Sequence, residues 1–341
     1  MFDYSGFSEK KLLKLCDDSS VVINPSDWQC HWTAGIYSIG KCLRDYAGFP
    51  DKLPLNICTE HGPGHRMYDH IDKHEINNTT YSFLVSTSKT MNLYKTKSAK
   101  KVYHCVYPVI AYRRKYNIEQ TKTARGTIVF PAHSLPEVDT VFDLDDFCRQ
   151  LKALPAEFQP ICVCLHQHDV NKGQHKEFIK RGFPVYTAGN SKDKNYIDRF
   201  YSILQNFKYS MSNSFGSYVY FSVEMGIPFS IIGTGVDFTN VRDSYTHLQD
   251  WGGDFWKNYH VYCEIFHNKP RTLITPEQKE FVEAGVGLTS SMTPRKMNFI
   301  LWRAYRSYLL FDYGLWRIFK DIGHNIKDKL YMFFAKKMNN K

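Results

Sequence analysis

No stretch of this sequence approaches the roughly 18 consecutive uncharged apolar residues of a membrane-crossing helix, and Met1 to Leu15 lacks an apolar run of secretory-signal length. The expectation is a cytoplasmic chain that crosses no bilayer. P-loop, HExxH, paired CxxC and nucleophile-elbow patterns are absent, as are internal repeats and low-complexity tracts. The nine cysteines (Cys16, Cys30, Cys42, Cys58, Cys105, Cys148, Cys162, Cys164, Cys263) are scattered, odd in number and mostly inside apolar runs. That usage suits reduced thiols and excludes a disulfide scaffold.

What is present is bulk and aromaticity. With 341 residues, 43% apolar and 16% aromatic, the chain can fill about two domains and does not read as disordered. The net charge of +10 suits an anionic partner. Eight of those ten charges lie from Ser291 onward, where eleven Lys or Arg face three Asp (Asp312, Asp321, Asp328). No nucleic-acid module accompanies them, so nucleic acid is not an expected partner.

Short apolar runs alternate with helical patterns. Strands are expected at Ser20 to Asn24, Leu53 to Thr59, Tyr81 to Ser86 and Val102 to Val109, with helices at Ala34 to Tyr46 and Lys89 to Lys100. The polar stretch Arg113 to Arg125 has no apolar face and reads as a linker. Beyond it come strands at Thr127 to Phe130, Ile161 to His166, Pro184 to Thr187, Tyr209 to Asn213 and Pro228 to Ile232. Helices at Asp143 to Leu151, Asn195 to Phe207 and Ser217 to Met225 separate them. The fold class implied is α/β, with two Rossmann-like domains facing a cleft, residues 1–120 and 121–290, and a helical tail, residues 291–341. Ligands then bind beyond the carboxyl ends of the strands.

The segment Tyr209 to Gly233 runs through Ser212-Asn213-Ser214, Gly216 and Ser217 into a helix and then Gly226-Ile227-Pro228. Free N–H groups at such a helix start suit a phosphate, although ordinary capping by Ser or Asn explains the same residues. The order strand, Ser-Asn-Ser, Gly-Ser, helix, Gly-x-Pro, strand resembles the donor half of GT-B glycosyltransferases of bacterial capsule and lipopolysaccharide assembly. In that family the segment holds the donor phosphate, which assigns Ser212, Asn213, Ser214, Gly216 and Ser217 to donor binding. Many members carry a ribose-binding glutamate five residues before the Gly of Gly-x-Pro; here that position is Phe221, with Glu224 three residues on. The pattern is thus more similar to transferases of CMP-activated acid sugars, such as sialic acid or Kdo. A loose likeness to their histidine motif adds His133 and Ser134 after the strand Thr127 to Phe130, where a helix starting near Pro136 is the structural alternative.

In the first half, Glu60, His61, Gly62, Pro63, Gly64, His65 and Arg66 follow a buried strand. Glu60 or His61 suits a base that takes a proton from an acceptor hydroxyl, and Asp27, placed after the expected strand Ser20 to Asn24, competes for that role. A retaining mechanism with a nucleophilic carboxylate stays open. Cys162, Cys164, His166 and His168 alternate and would share one strand face, but four such residues spread over about 20 Å, too far for one tetrahedral metal. No metal and no cofactor beyond the donor are expected; His166, His168 and Asp169 line the donor cleft instead.

The resemblance implies a metal-independent glycosyltransferase that carries a sugar from a nucleotide donor to a lipid-linked surface-polysaccharide or lipopolysaccharide acceptor. The tail mixes Trp302, Tyr305, Tyr308, Phe311, Trp316, Phe319, Tyr331 and Phe334 with Arg303, Arg306, Arg317, Lys320, Lys327 and Lys329. It suits contact with an anionic membrane surface, at the inner face of the cell membrane, or packing on the first domain. Two alternatives remain open: a non-catalytic membrane or assembly protein on a Rossmann scaffold, and a nucleotide-sugar epimerase.

Overall fold

The computed structural model describes residues 2–63, 73–240, 261–267, 269–312, 314–315 and 326–327. Helix α1 (Glu9–Cys16) starts where the Ser8 side chain accepts the Lys11 N–H, and short turns α2 (Pro25–Trp28) and α3 (Trp32–Gly35) precede α4 (Ile39–Ala47). Then come β1 (Ile57–Thr59), α5 (Lys73–Asn77), β2 (Ser82–Val85), α6 (Ser88–Lys97), β3 (Lys101–His104) and α7 (Pro108–Lys115). The three strands form one parallel sheet in the order β1-β2-β3.

The second unit contains β4 (Thr127–Val129), β5 (Val138–Val141), α8 (Leu144–Lys152), β6 (Ile161–Cys164), α9 (Gln167–Asn171) and α10 (Gln174–Lys180). It continues through β7 (Val185–Tyr186), α11 (Tyr196–Leu204), β8 (Tyr209–Ser212), α12 (Ser217–Glu224), β9 (Phe229–Ile231) and β10 (Asp237–Asn240). Five strands form a wholly parallel sheet ordered β7-β6-β4-β8-β9, while β5 and β10 pair antiparallel beside it. Parallel strands covered on both faces read as continuous apolar runs, and β6, β8 and β9 are buried throughout. Each fully buried Phe or Met in them, such as Phe229 or Met211, stabilises the fold by about 1.5–3 kcal/mol. Helix α13 (Pro276–Gly285) opens on a Thr275/Gln278 capping box, and α14 (Pro294–Ser307) follows.

One apolar cluster joins the two units: Ile57 and Leu84 of the first sheet share it with Ile128, Phe130 and Ile231 of the second. The opening residues lie against the second sheet, with the Phe7 N–H donating to the Val185 carbonyl at 2.8 Å and Leu12 in its core. Helix α14 lies on α4, burying Met297, Ile300, Leu301 and Ala304. Of the tail residues named above, Trp316, Arg317, Phe319, Lys320, Lys329, Tyr331 and Phe334 lie outside the described residues, as do Gly64, His65 and Arg66.

Four expectations are corrected. Ser20 to Asn24 is not a strand: Asp17 caps a short 3-10 turn, Asn24 caps α2, and Val22 and Ile23 between them are exposed. Val102 to Val109 is cut after His104, because Pro108 starts α7. Ala34 to Tyr46 is broken at Tyr37 and Ser38, both left-handed. Arg113 to Arg125 is no free linker: Arg113 makes a two-point pair with Glu224 at 2.6 and 2.7 Å, and the Thr121 N–H donates to the Gln205 carbonyl. Buried Glu224 thus has two guanidinium partners, Arg113 and Arg114, which explains a carboxylate on an otherwise apolar helix.

Candidate functional site

In the five-stranded sheet the chain proceeds outward from β4 through β6 to β7, then crosses back to β8 and β9. The order therefore reverses between β4 and β8, which is where open parallel sheets hold ligands. The loops leaving those two strands carry Pro131 to Ser134 and Ser212 to Gly216. They are tied together, since the Ala132 N–H donates to Asn213 Oδ1 at 2.8 Å. Ser212 Oγ accepts the Ser214 N–H at 2.9 Å and lies 2.8 Å from the Tyr218 hydroxyl. Ser212, Asn213 and Ser214 are buried, so these side chains brace the turn. The open part is the half-buried pair Gly216 and Ser217: Gly216 stands at the N-cap of α12 with no side-chain cap, leaving first-turn N–H groups of α12 without that partner.

The first unit brings the loop after β1 to this helix start. A Cβ on Gly62 would lie 2.6 Å from Ser217 Oγ, so the two loops are in close contact here. His61 is held by its backbone carbonyl, which accepts the Tyr107 hydroxyl at 3.2 Å. Its ring meets the Tyr37 ring edge-on at 5.4 Å and the Trp32 ring at 5.5 Å. Glu60 is buried and turned into its own unit, where Oε2 accepts the Ser86 N–H at 2.8 Å and the Ser86 hydroxyl at 2.5 Å.

Asp27 lies elsewhere. It pairs with buried Arg44 at 2.8 Å, and its carboxylate fills the space where a Cβ on Gly40 would clash at 2.4 Å. Burial pushes its pKa up to about 6 against the opposing pull of Arg44. With no strand before it and an ion pair around it, Asp27 supports α4 and loses the geometric case for a base.

Tyr37 is the residue sequence reasoning missed. Its hydroxyl is 3.5 Å from His166 Nε2, and the His166 ring stacks on His133 at 4.3 Å and approaches His168 at 4.8 Å. A row of rings thus connects His61 of one unit through Tyr37 to His166, His133 and His168 of the other. Tyr37 and Ser38 have φ of 51° and 59°, each costing about 1–3 kcal/mol for residues with a side chain. Their contacts hold them there: the Tyr37 N–H donates to the Ser191 carbonyl at 2.6 Å, and Ser38 Oγ accepts the Ile197 N–H at 3.1 Å. The interruption of a helical pattern by Gly35 and Gly40 was the available signal.

Burial, reinforced by His133, His168 and His61, lowers the His166 pKa well below its usual value, and burial beside His133 lowers that of His168 to about 4. Burial raises the Tyr37 phenol to about 12. Neutral imidazoles and a protonated phenol are hydrogen-bonding groups at neutral pH. Ser134 is buried; its N–H donates to Asp169 Oδ1 at 2.9 Å and its Oγ accepts the Thr140 N–H. No helix starts at Pro136; Leu135 instead bridges to Val138 at the start of β5. The alternating Cys162 to His168 series also ends early: β6 stops at Cys164, His166 caps α9 and His168 lies within it. Among the described residues no group of three or more His, Cys, Asp or Glu is arranged to hold a metal ion.

Among the described residues, the fold and site define an α/β protein with two parallel sheets, an antiparallel ribbon and a cluster of histidine rings beside a switch point. No family model matches the sequence, and no curated protein matches it. Among solved structures, the wall teichoic acid polymerase TagF, in a variant soaked with CDPG, is similar at a TM-score of 0.33 and 8% identity. The match covers 67% of this chain and 57% of that one, so this chain spans little more than half the polymerase's length.

Proposed function

We propose that the chain is a glycosyltransferase of the GT-B type, moving a sugar from a nucleotide-activated donor, CMP-linked in our reading, to a surface-polysaccharide or lipopolysaccharide acceptor. The donor's phosphate sits at Gly216 and Ser217, where the N–H groups and dipole of α12 take up the charge that grows on the departing nucleotide. His133 and His166 lie beside it, and Tyr37 orients His166 through its Nε2. His61 takes the proton from the acceptor hydroxyl as the bond from sugar to phosphate breaks. Ser212, Asn213 and Ser214 shape the turn, Ser134 steadies the loop of His133, and Glu60 fixes the loop of His61. The observation that supports this reading is the approach of Gly62 to Ser217, which brings the loop that carries His61 to a helix start without a side-chain cap.

His61→Gln tests it. Removing a general base lowers turnover by about 10²–10⁴-fold while leaving the substrate's grip intact. With a CMP-sugar and a lipid-linked acceptor, the expected result is a kcat loss in that range with nucleotide affinity unchanged. Equal kcat in variant and parent removes His61 from the mechanism.

The acceptor's lipid gives α14 its part. One face packs on α4, and the other exposes Phe299, Trp302 and, just beyond, Phe311, at 61%, 44% and 70%, with Arg303 and Arg306 among them. Rings at helical spacing with interleaved cations suit an anionic lipid surface. Among the described residues no helix is long and apolar enough to cross a membrane.

A further inference from the structure

A cavity of about 310 Å³ opens on the other side of the β4 loop, between β4, β6, the β5 ribbon and the starts of α8 and α10. That volume lies at the lower end of the range for small-ligand sites, about 300–1,000 Å³. Its walls are mostly apolar and include Pro131, Phe142, Leu144, Leu165 and Phe178. Four lining residues are polar, Thr140, Gln174, Glu177 and Asp169, and of these Asp169 is the buried one, only 3% exposed.

The two oxygens of Asp169 are used unequally. Oδ1 accepts the Ser134 N–H at 2.9 Å, whereas Oδ2 is buried with no hydrogen-bond partner among the described residues. A buried carboxylate oxygen left unpaired is costly. Burial raises the Asp169 pKa, while the Ser134 N–H, His133 and Lys172 pull it back toward the ionised form. The carboxylate is thus an acceptor beside a space walled in part by Phe142 and Phe178, suited to an N–H donor on a flat apolar body. Ala132 lines this space, and its N–H is bonded to Asn213 of the turn that leads to Gly216 and Ser217.

We propose that this cavity receives the donor's nucleobase and that Asp169 selects cytosine, whose exocyclic amine donates to Oδ2. This rests on the donor-nucleotide reading above and adds the base to it. Uracil presents a carbonyl where cytosine presents the amine, and a carboxylate repels it. Asp169 is then a specificity residue that touches the base and takes no part in bond breaking.

The test is calorimetric titration of the full chain at neutral pH with CMP, UMP and ribose 5-phosphate, the last carrying the anion without a base. One good hydrogen bond to a charged group separates CMP from UMP by about tenfold. In Asp169→Asn the Ser134 N–H keeps its acceptor, and an amide donor replaces Oδ2. The expected result is inverted preference, UMP over CMP, with ribose 5-phosphate unchanged. Val141→Trp, on a rim residue 48% exposed, fills the mouth of the cavity and is expected to bring CMP down to the affinity of ribose 5-phosphate. A CMP preference that survives in folded Asp169→Asn, or CMP binding untouched by Val141→Trp, overturns the proposal and leaves the donor reading standing. Failure of all three probes to bind the unaltered protein overturns both.

Discussion

Burial holds His31 and His168 near a pKa of 4 and His166 well below its ordinary value, so the folded protein refuses protons that the unfolded chain accepts from about pH 6.5 downward. Stability contributed by these groups is complete above pH 6.5 and is lost as pH falls toward 4. Asp27, raised to about 6, acts in the opposite sense, gaining relative stability on acidification through the same window. Three imidazoles outweigh the two raised carboxyls, Asp27 and Asp169, so the melting temperature is expected to fall between pH 7 and pH 5. A flat or rising profile in differential scanning calorimetry contradicts the burial described for these rings. Residue by residue, His61, His133, His166, Gly216 and Ser217 of the proposed site stood out in the sequence because each follows an apolar run that ends in polar or glycine-bearing loops. Tyr37 was not, because its role comes from a left-handed backbone held by Ser191, Asp193 and Ile197, more than 150 residues away in sequence. The unpaired oxygen of Asp169 was equally invisible, since it depends on which donors the fold leaves out.

At the scale of elements, the second unit was readable strand by strand: β4, β6, β7, β8 and β9 each fall within the apolar run that announced it. Parallel strands buried on both faces leave little else for such runs to be. The first unit was harder, because its apolar residues are less faithful to burial. Val22 and Ile23 are exposed, and Pro108 turns an apolar run into a helix start. The β5 ribbon was missed because Val138 to Val141 is short, half-exposed and paired with β10, about 100 residues later. For the tail, the packing reading describes α14, which lies inward on α4, while its outward Phe299 and Trp302 are the face on which membrane contact is proposed. Replacing those two exposed rings with Ser leaves the buried face alone, so folding is expected to be retained. Sedimentation with vesicles containing anionic phospholipid is expected to drop by about tenfold or more for two rings withdrawn from the interface. Sedimentation equal to the parent would remove the membrane role of α14.

At the scale of the whole molecule, two parallel sheets share one apolar cluster, and the loop after β1 meets the helix that follows β8. The contact between Gly62 and Ser217, the strained Tyr37 turn and the Arg113–Glu224 pair all join the two units. On the proposed reading, this arrangement would bring a donor held by one unit within reach of groups carried by the other, which is how positioning contributes to transfer chemistry. Everything functional depends on the anion taking the uncapped first turn of α12. NMR of protein labelled with ¹⁵N-glycine and ¹⁵N-serine, titrated with CMP, reads that turn directly. Donor binding there predicts that the Gly216, Ser217 and Gly62 amides shift together along one saturable curve. CMP binding that leaves those three amides unmoved would contradict it.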